Sequence, residues 1–208
     1  MKYITTIWTS IALCIALLGV RILDPTLVEQ LRLNSFDQYI QSLPDKESDV
    51  VLLSFGEETL AKYGQYPFPR HTYAQLISDL RNANAGMIAF TIMFPEADRF
   101  GGDEVFISWV NNNGVILAQD ASSRGRSDTA PYVGTATLGE GDAYDFVPKY
   151  SGLVTNIKEL EDAAWGVGLI NAGKEVDNIT RRIPLLSQIN GQLYPSMPLE
   201  IIRVLQDK

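Results

Sequence analysis

Along this chain the spacing of apolar residues changes repeatedly, and each change marks an element. From Ile4 to Val20 there is no charged residue, and the polar members are Thr5, Thr6, Thr9 and Ser10, whose hydroxyls can bond back to helical carbonyls. Extended to Leu23, the run reaches the about twenty residues that a bilayer core requires, with Arg21 snorkelling to the far interface and Tyr3 and Trp8 at the near headgroup level. From Asp24 to Pro44 the rhythm becomes that of a helix with apolar positions Leu27, Val28, Leu31, Leu33 and Phe36. Pro44 to Ser48 then reads as a turn. The division expected is a transmembrane anchor over 1–23, a juxtamembrane helix and linker over 24–48, and a folded domain over 49–208.

Within that domain, short continuous apolar runs alternate with helical spacing. Val50 to Phe55 is short enough for a buried strand, and Glu57 to Tyr63 for a brief helix. The prolines of Tyr66-Pro67-Phe68-Pro69-Arg70 forbid ladder donation and predict an extended connector, with Pro69 suited to the first helical position. Tyr73, Leu76, Ile77 and Leu80 share one helical face, and the helix should stop near Gly86 in a left-handed cap. Met87 to Phe94 is a second strand, Asp103 to Asn113 a helix, and Gly114 to Gln119 a third strand. Strand, helix and strand in this order favour right-handed parallel crossovers. The fold class expected is therefore α/β, a central and mostly parallel sheet flanked by helices and preceded by one transmembrane helix. Asp120 to Pro148 reads as a long loop with one strand at Val133 to Leu138. Ile157 to Ala164 reads as a helix, and Trp165 to Ile170 and Arg182 to Ile189 as strands. Asn190-Gly191 is a hairpin signal leading to a last helix, Pro195 to Leu205.

Composition sharpens this picture. In 208 residues, 46% hydrophobic and 20% charged, there is apolar material for one core and one extra segment. The net charge of -8, with no basic block to offset it, disfavours a nucleic-acid partner. The lone cysteine, Cys14, falls in the apolar N-terminal run, which leaves the folded part without thiol chemistry. A cleaved signal peptide is the main competitor to an anchor, since Lys2 precedes the run. No small-x-small pattern closes it, however, and Leu13 stands before Cys14 where a lipoprotein signal needs a small residue. A buried core helix fits less well, because the run has no polar face. Either the anchor or the signal reading exports the remainder.

Several motifs in order then give a resemblance. Thr59-Leu60 before Gly64, Tyr66-Pro67-Phe68-Pro69-Arg70, the helix to Gly86 with the Ile88 to Phe94 strand, Gly168 to Asn171, Asp177 to Leu185 with its paired arginines, and Tyr194-Pro195-Ser196 resemble the second type of CHASE domain. This is an extracytoplasmic sensory module of bacterial histidine kinases and nucleotide cyclases, and the resemblance covers most of Asp49 to Leu205. Together with the apolar N-terminal run, the resemblance makes the expectation a single-pass membrane sensor with its domain on the extracytoplasmic, periplasmic side, binding a small ligand of unknown identity. In the family the sensor is usually followed by further membrane helices and a cytoplasmic output domain, so output is expected to lie outside this chain. No catalytic activity is expected, because nothing in the sequence pairs a nucleophile with a base at a recognisable spacing. The chain departs from the family pattern at Gly56 and Thr91, where acidic residues are expected at the ends of the first two core strands. Any carboxylate pair acting there in relatives is thus in doubt. The alternative reading is a structural or interaction subunit of a membrane assembly, with a homo-oligomer or another membrane protein as partner.

Arg70, Glu57, Asn171, Asp177 and Arg182 are the candidate ligand-binding residues. Guanidinium forks such as those of Arg70, Arg181 and Arg182 recognise carboxylate or phosphate bidentately. Ion pairing with Asp177 or Glu57 is the structural alternative for them, and strand alternation would point Arg181 and Arg182 to opposite faces. Asp177-Asn178 suits a tight turn, and the prolines around Phe68 suit a packing corner. Glu96, Asp98, Asp103 and Glu104 follow a strand end, where oxygen ligands could bind calcium, but their spacing matches no defined loop, and solvated acids are the expectation there as for Asp142 and Asp145. His71 is the only histidine, so it cannot build a multi-histidine metal site, and it is expected to be exposed or capping. No cofactor, metal or catalytic residue is expected.

Overall fold

The apolar N-terminal run forms one long helix because nothing in it interrupts the backbone ladder until Pro25. In a computed structural model describing residues 2–23, 25–123 and 146–206, α1 runs Lys2–Leu23 and α2 runs Thr26–Ser42. Thr9 and Ser10 return their hydroxyls to the Thr6 carbonyl at 2.8 and 2.9 Å, so α1 presents an apolar exterior, and its described side chains are almost all exposed. The chain divides into two compact units, one of residues 1–53 with 174–181 and one of residues 54–173 with 182–208.

In the first unit, Val50 to Leu53 joins no ladder among the described residues, and Val50, Val51 and Leu52 are 80% exposed or more. The strand expected over Val50 to Phe55 is therefore not formed. An apolar run supplies side chains to bury, but a strand also needs a partner edge, which the run itself does not encode. Residues 174–181 form a turn in which Asn178 takes a positive φ of 63° and the Asp177 carboxylate accepts the Ile179 N–H at 3.0 Å. That is the turn role expected of Asp177-Asn178.

The second unit holds two small mixed sheets. Its elements are α3 (Glu57–Tyr63), α4 (Arg70–Asn82), β1 (Ile88–Phe90), α5 (Asp103–Asn111), β2 (Val115–Ala121), β3 (Lys149–Tyr150), β4 (Leu153–Val154), α6 (Lys158–Ala163), β5 (Gly166–Leu169), β6 (Leu186–Ile189), β7 (Gln192–Pro195) and α7 (Met197–Leu205). In the first sheet β2 is central. It pairs in parallel with β1 at Ile88↔Val115 and with β5 at Ile116↔Gly166, and antiparallel with β4 at Asp120↔Val154. In the second, β3 and β6 are parallel and β6 and β7 form a hairpin. The single parallel bridge Leu169↔Ser196 joins the end of β7 to β5. A mixed pair of sheets thus stands where a central, mostly parallel one was expected. The difference arises at β3 and β4, short segments whose pairing is set by tertiary neighbours, and at the β6–β7 hairpin, which sits in a sheet of its own with β3.

Two faces of β2 define the layers. Val115 and Leu117 pack with Tyr73, Ala74 and Ile77 of α4, Phe106 and Val110 of α5, and Leu160 and Ala163 of α6, in a cluster that includes Phe68, Phe90 and Phe94. Ile116 and Ala118 pack instead with Met197 of α7. Helix α7 approaches closely because β5 offers no side chains there: a Cβ on Gly168 would lie 2.8 Å from the Met197 backbone nitrogen, and one on Gly166 would lie 3.0 Å from Glu200 carbons.

Element boundaries differ from expectation in small ways with local causes. Helix α4 opens at Arg70 with Pro69 as its N-cap, and Asn84, at φ 63°, rather than Gly86, takes the left-handed conformation after it. Residues 182–185 join no ladder, so the opposite-faces argument for Arg181 and Arg182 does not apply. Asn190 and Gly191, at φ 49° and 87°, make the expected tight hairpin. Pro195 ends β7 rather than opening the last helix. The connector at Phe68 is a packing corner, with its ring 3% exposed and set edge-on to Phe55 and Tyr66 at 5.4 and 5.9 Å. The expected strand Val133 to Leu138, Asp142 and Asp145 lie outside the described residues.

Candidate functional site

Parallel strands present their C-terminal ends on one edge, and ligands of open α/β sheets bind beyond that edge. Here β1 ends at Phe90 opposite Leu117, β5 ends at Leu169 opposite Gln119, and β2 runs on to Ala121; the polar side chains gathered past those ends are asparagines, acids and one buried arginine.

Two asparagines continue the sheet where its strands part. Asn156 is buried, its Oδ1 accepting the Phe94 N–H at 2.8 Å and its Nδ2 donating to the Ala118 carbonyl at 2.9 Å. A side-chain amide thereby replaces the peptide that would bridge the chain after β1 to β2. The Glu161 carboxylate accepts both the Asn156 backbone N–H, at 2.9 Å, and its Nδ2, at 3.3 Å. Burial raises the Glu161 pKa above the ordinary carboxylate value, and the Asn156 hydrogen bonds only partly oppose it. On the other side of β2, Asn171 accepts the Ala121 N–H at 2.6 Å and donates to the Ala121 carbonyl at 2.8 Å and to Asp120 Oδ1 at 2.7 Å. Both asparagines act as rungs of the ladder.

Arg70 ties the start of α4 to the loop after β1. Its backbone N–H donates to Asp98 at 3.0 Å, Nε to Asp103 at 3.2 Å and Nη2 to the Glu96 carbonyl at 2.8 Å. Its guanidinium lies 4.4 Å from the Phe94 ring centre, a cation–π contact. Asp98 also accepts the N–H groups of Phe100 and Gly102, and Asp103 accepts that of Asp98. Burial pushes the Asp98 pKa up, but three backbone donors and the Arg70 charge outweigh it and leave the pKa lowered. A carboxylate at two helix starts also favours their dipoles. The acids at 98 and 103 therefore serve as helix-start acceptors, and among the described residues no group of histidine, cysteine and acidic side chains is arranged to hold a metal.

In the other unit, Arg181 is surrounded by three carboxylates. It donates to both oxygens of Asp37 at 2.7 and 2.6 Å, to both of Asp177 at 3.0 and 2.7 Å, and to Glu175 at 3.1 Å. Hydrogen bonds from Arg181 hold Asp177 down at about 2 and lower Asp37, while the same bonds raise the arginine.

Of the five candidate ligand residues, Arg70 is buried in the helix-start knot and Asn171 caps the sheet edge. Asp177 pairs with Arg181, Glu57 is exposed in the first turn of α3, and Arg182 is exposed. The arginine partners are thus Asp103 for Arg70 and Asp37, Glu175 and Asp177 for Arg181; Glu57 is not among them. His71 is exposed on α4, Gly56 caps α3, and Thr91 is exposed past β1. Asn156, Glu161, Gln119 and Asp37 carried no sequence signal, since each acquires its role from a strand or loop distant in sequence.

This arrangement belongs to a recognised class, the extracytoplasmic sensory domains. The chain is a member of the CHASE2 domain family, whose model matches residues 11–208. No curated protein and no solved structure matches it.

Proposed function

We propose that this chain is a single-pass, membrane-anchored sensor of a bacterial signal-transduction system. In this reading α1 sits in the lipid, and the CHASE2 domain binds a small extracytoplasmic ligand at the C-terminal edge of β1, β2 and β5. The observation carrying this reading is the pairing of the family match with a helix, Thr6 to Leu23, that is long and apolar enough to cross a membrane and has none of its residues buried. The chain leaves β5 through Asn171 and within three residues enters segment 174–181, which Arg181 fastens to α2, and α2 follows α1. A shift at the sheet edge thus has a covalent route to the membrane helix. Calorimetric and thermal-shift screens of the purified chain against small metabolites and ions test the binding, and failure of every ligand class to bind sinks it. Labelling of single cysteines introduced after Asp24, from either side of the membrane, tests the orientation, and a cytosolic result removes it.

A second reading, an interaction subunit of a membrane assembly, is favoured by a specific observation. Leu27 and Leu31 of α2 and Val50 to Leu52 expose large apolar side chains, more than an isolated soluble surface ordinarily leaves uncovered. In mild detergent this reading expects a homo-oligomer or a co-purifying membrane protein. A lone monomer overturns it.

A further inference from the structure

Gln119 stands on the face of β2 between Leu117 and Ala121, which belong to two separate apolar clusters. Its relative exposure is 0%, and neither its Nε2 nor its Oε1 has a hydrogen-bond partner among the described residues. Across the ladder it faces Leu169, and Leu169 is bridged on its far side to Ser196. Residues opposite one another on adjacent strands place their side chains on the same face, so Gln119, Leu169 and Ser196 form one row. Ser196 is 2% exposed; it is the N-cap of α7, yet its hydroxyl makes no capping bond and has no hydrogen-bond partner among the described residues. The nearby polar groups are already committed: Asn156 and Glu161 to each other and to the backbone, Asn171 to Ala121 and Asp120.

Buried polar side chains in native proteins nearly always have a partner, and this row has two without one among the described residues, at the strand ends where ligands of such sheets enter. We propose that Gln119, together with Ser196, forms a buried site for a small neutral molecule that both donates and accepts hydrogen bonds. Neutrality follows because neither residue carries a charge and an unpaired ion among apolar neighbours is strongly disfavoured. The dual character follows because the amide offers an acceptor oxygen and two donor hydrogens, and the hydroxyl offers both functions. Water and a small organic amide or polyol share this chemistry. The organic occupant rests on the sensory reading above, whereas the water does not.

The test is a crystal structure of the full chain at a resolution that shows ordered water, with native mass spectrometry of the same preparation. The expected result is non-protein density within hydrogen-bonding distance of the Gln119 amide. An isolated peak identifies water, and extended density with a matching bound mass identifies the organic ligand. A protein group from residues 124–145 on the amide, or no density there, overturns the site. Thermal unfolding gives a second readout: Gln119→Met should lower the midpoint by a few degrees, because an occupied amide is lost, and a raised midpoint counts against the proposal. Should Gln119→Met fail to fold, Ser196→Ala carries the same comparison. A water peak together with failed ligand screens removes the sensory reading and leaves the site standing.

Discussion

Arg181 and Asp37, 144 positions apart in sequence, meet in a two-pronged fork, Nε to Oδ1 at 2.7 Å and Nη2 to Oδ2 at 2.6 Å. The geometry needs a planar guanidinium, since an ammonium offers no parallel pair of donors. It fastens segment 174–181 to α2, and Asp177 and Glu175 complete the arginine's shell.

Arg181→Lys is therefore expected to loosen α2 nearly as much as Arg181→Ala, because three carboxylates remain without a fork to share. Hydrogen exchange reads this as faster exchange of amides in residues 26–42 in both variants. Protection in the lysine variant equal to wild type would contradict the fork.

Acid should act on the same cluster. Asp177 has its folded pKa at about 2 against an ordinary 3.8, and Asp37 is lowered too. A depressed folded pKa contributes stability that is present above the unfolded value and is lost as pH falls through the folded one. The unfolding midpoint should drop between about pH 4 and pH 2, and the part of that drop due to this cluster should vanish in Asp37→Asn/Asp177→Asn.

Glu161 has the opposite sign. Its folded pKa is raised by burial, so its contribution is most favourable below the unfolded value and weakens as pH rises through the folded one. Glu161→Gln retains an acceptor oxygen for Asn156 and removes the buried charge. The variant should melt higher than wild type near neutral pH and like wild type below the ordinary carboxylate range. Equal midpoints at both pH values would show that burial does not penalise this acid.

Asn156 joins the chain after β1 to β2. Asn156→Ala leaves the Phe94 N–H and the Ala118 carbonyl buried without that amide, at a cost of about 2–4 kcal/mol. Denaturant unfolding measures it, and a loss below about 1 kcal/mol would mean that the backbone groups find other partners.

Gly168→Ala places a methyl group against the Met197 backbone, and overpacking of this kind costs about 1–3 kcal/mol. Gly166→Ala meets the Glu200 side chain instead. That side chain can swing aside only by releasing Arg203, whose Nε and Nη2 it holds at 2.8 and 2.7 Å. The expected order of destabilisation is Gly168→Ala above Gly166→Ala, read as midpoints of chemical unfolding.

The contrast between two apolar runs shows how far sequence pattern reaches. Val115 to Ala121 became the central strand and Val50 to Phe55 joined no sheet, although both read as strands by length and composition. The candidate site shows the same limit. Arg70 is recognisable as a guanidinium beside a helix start, yet its partners Asp98 and Asp103 are chosen by the path of the loop after β1. Asn156 gives no sign in sequence of its place between Phe94 and Ala118.

By itself the sequence determined the apolar helix, the Asn190-Gly191 hairpin, the α4 face, the Asp177-Asn178 turn and membership of the family, because each depends on residues close together in the chain whose conformations they fix directly. The tertiary structure alone decided which runs found a ladder, which carboxylate each arginine took, and that Gln119 is enclosed with no partner for its amide among the described residues. Those outcomes depend on burial and on hydrogen-bond partners brought together from distant segments, and local spacing carries no information about which groups will meet.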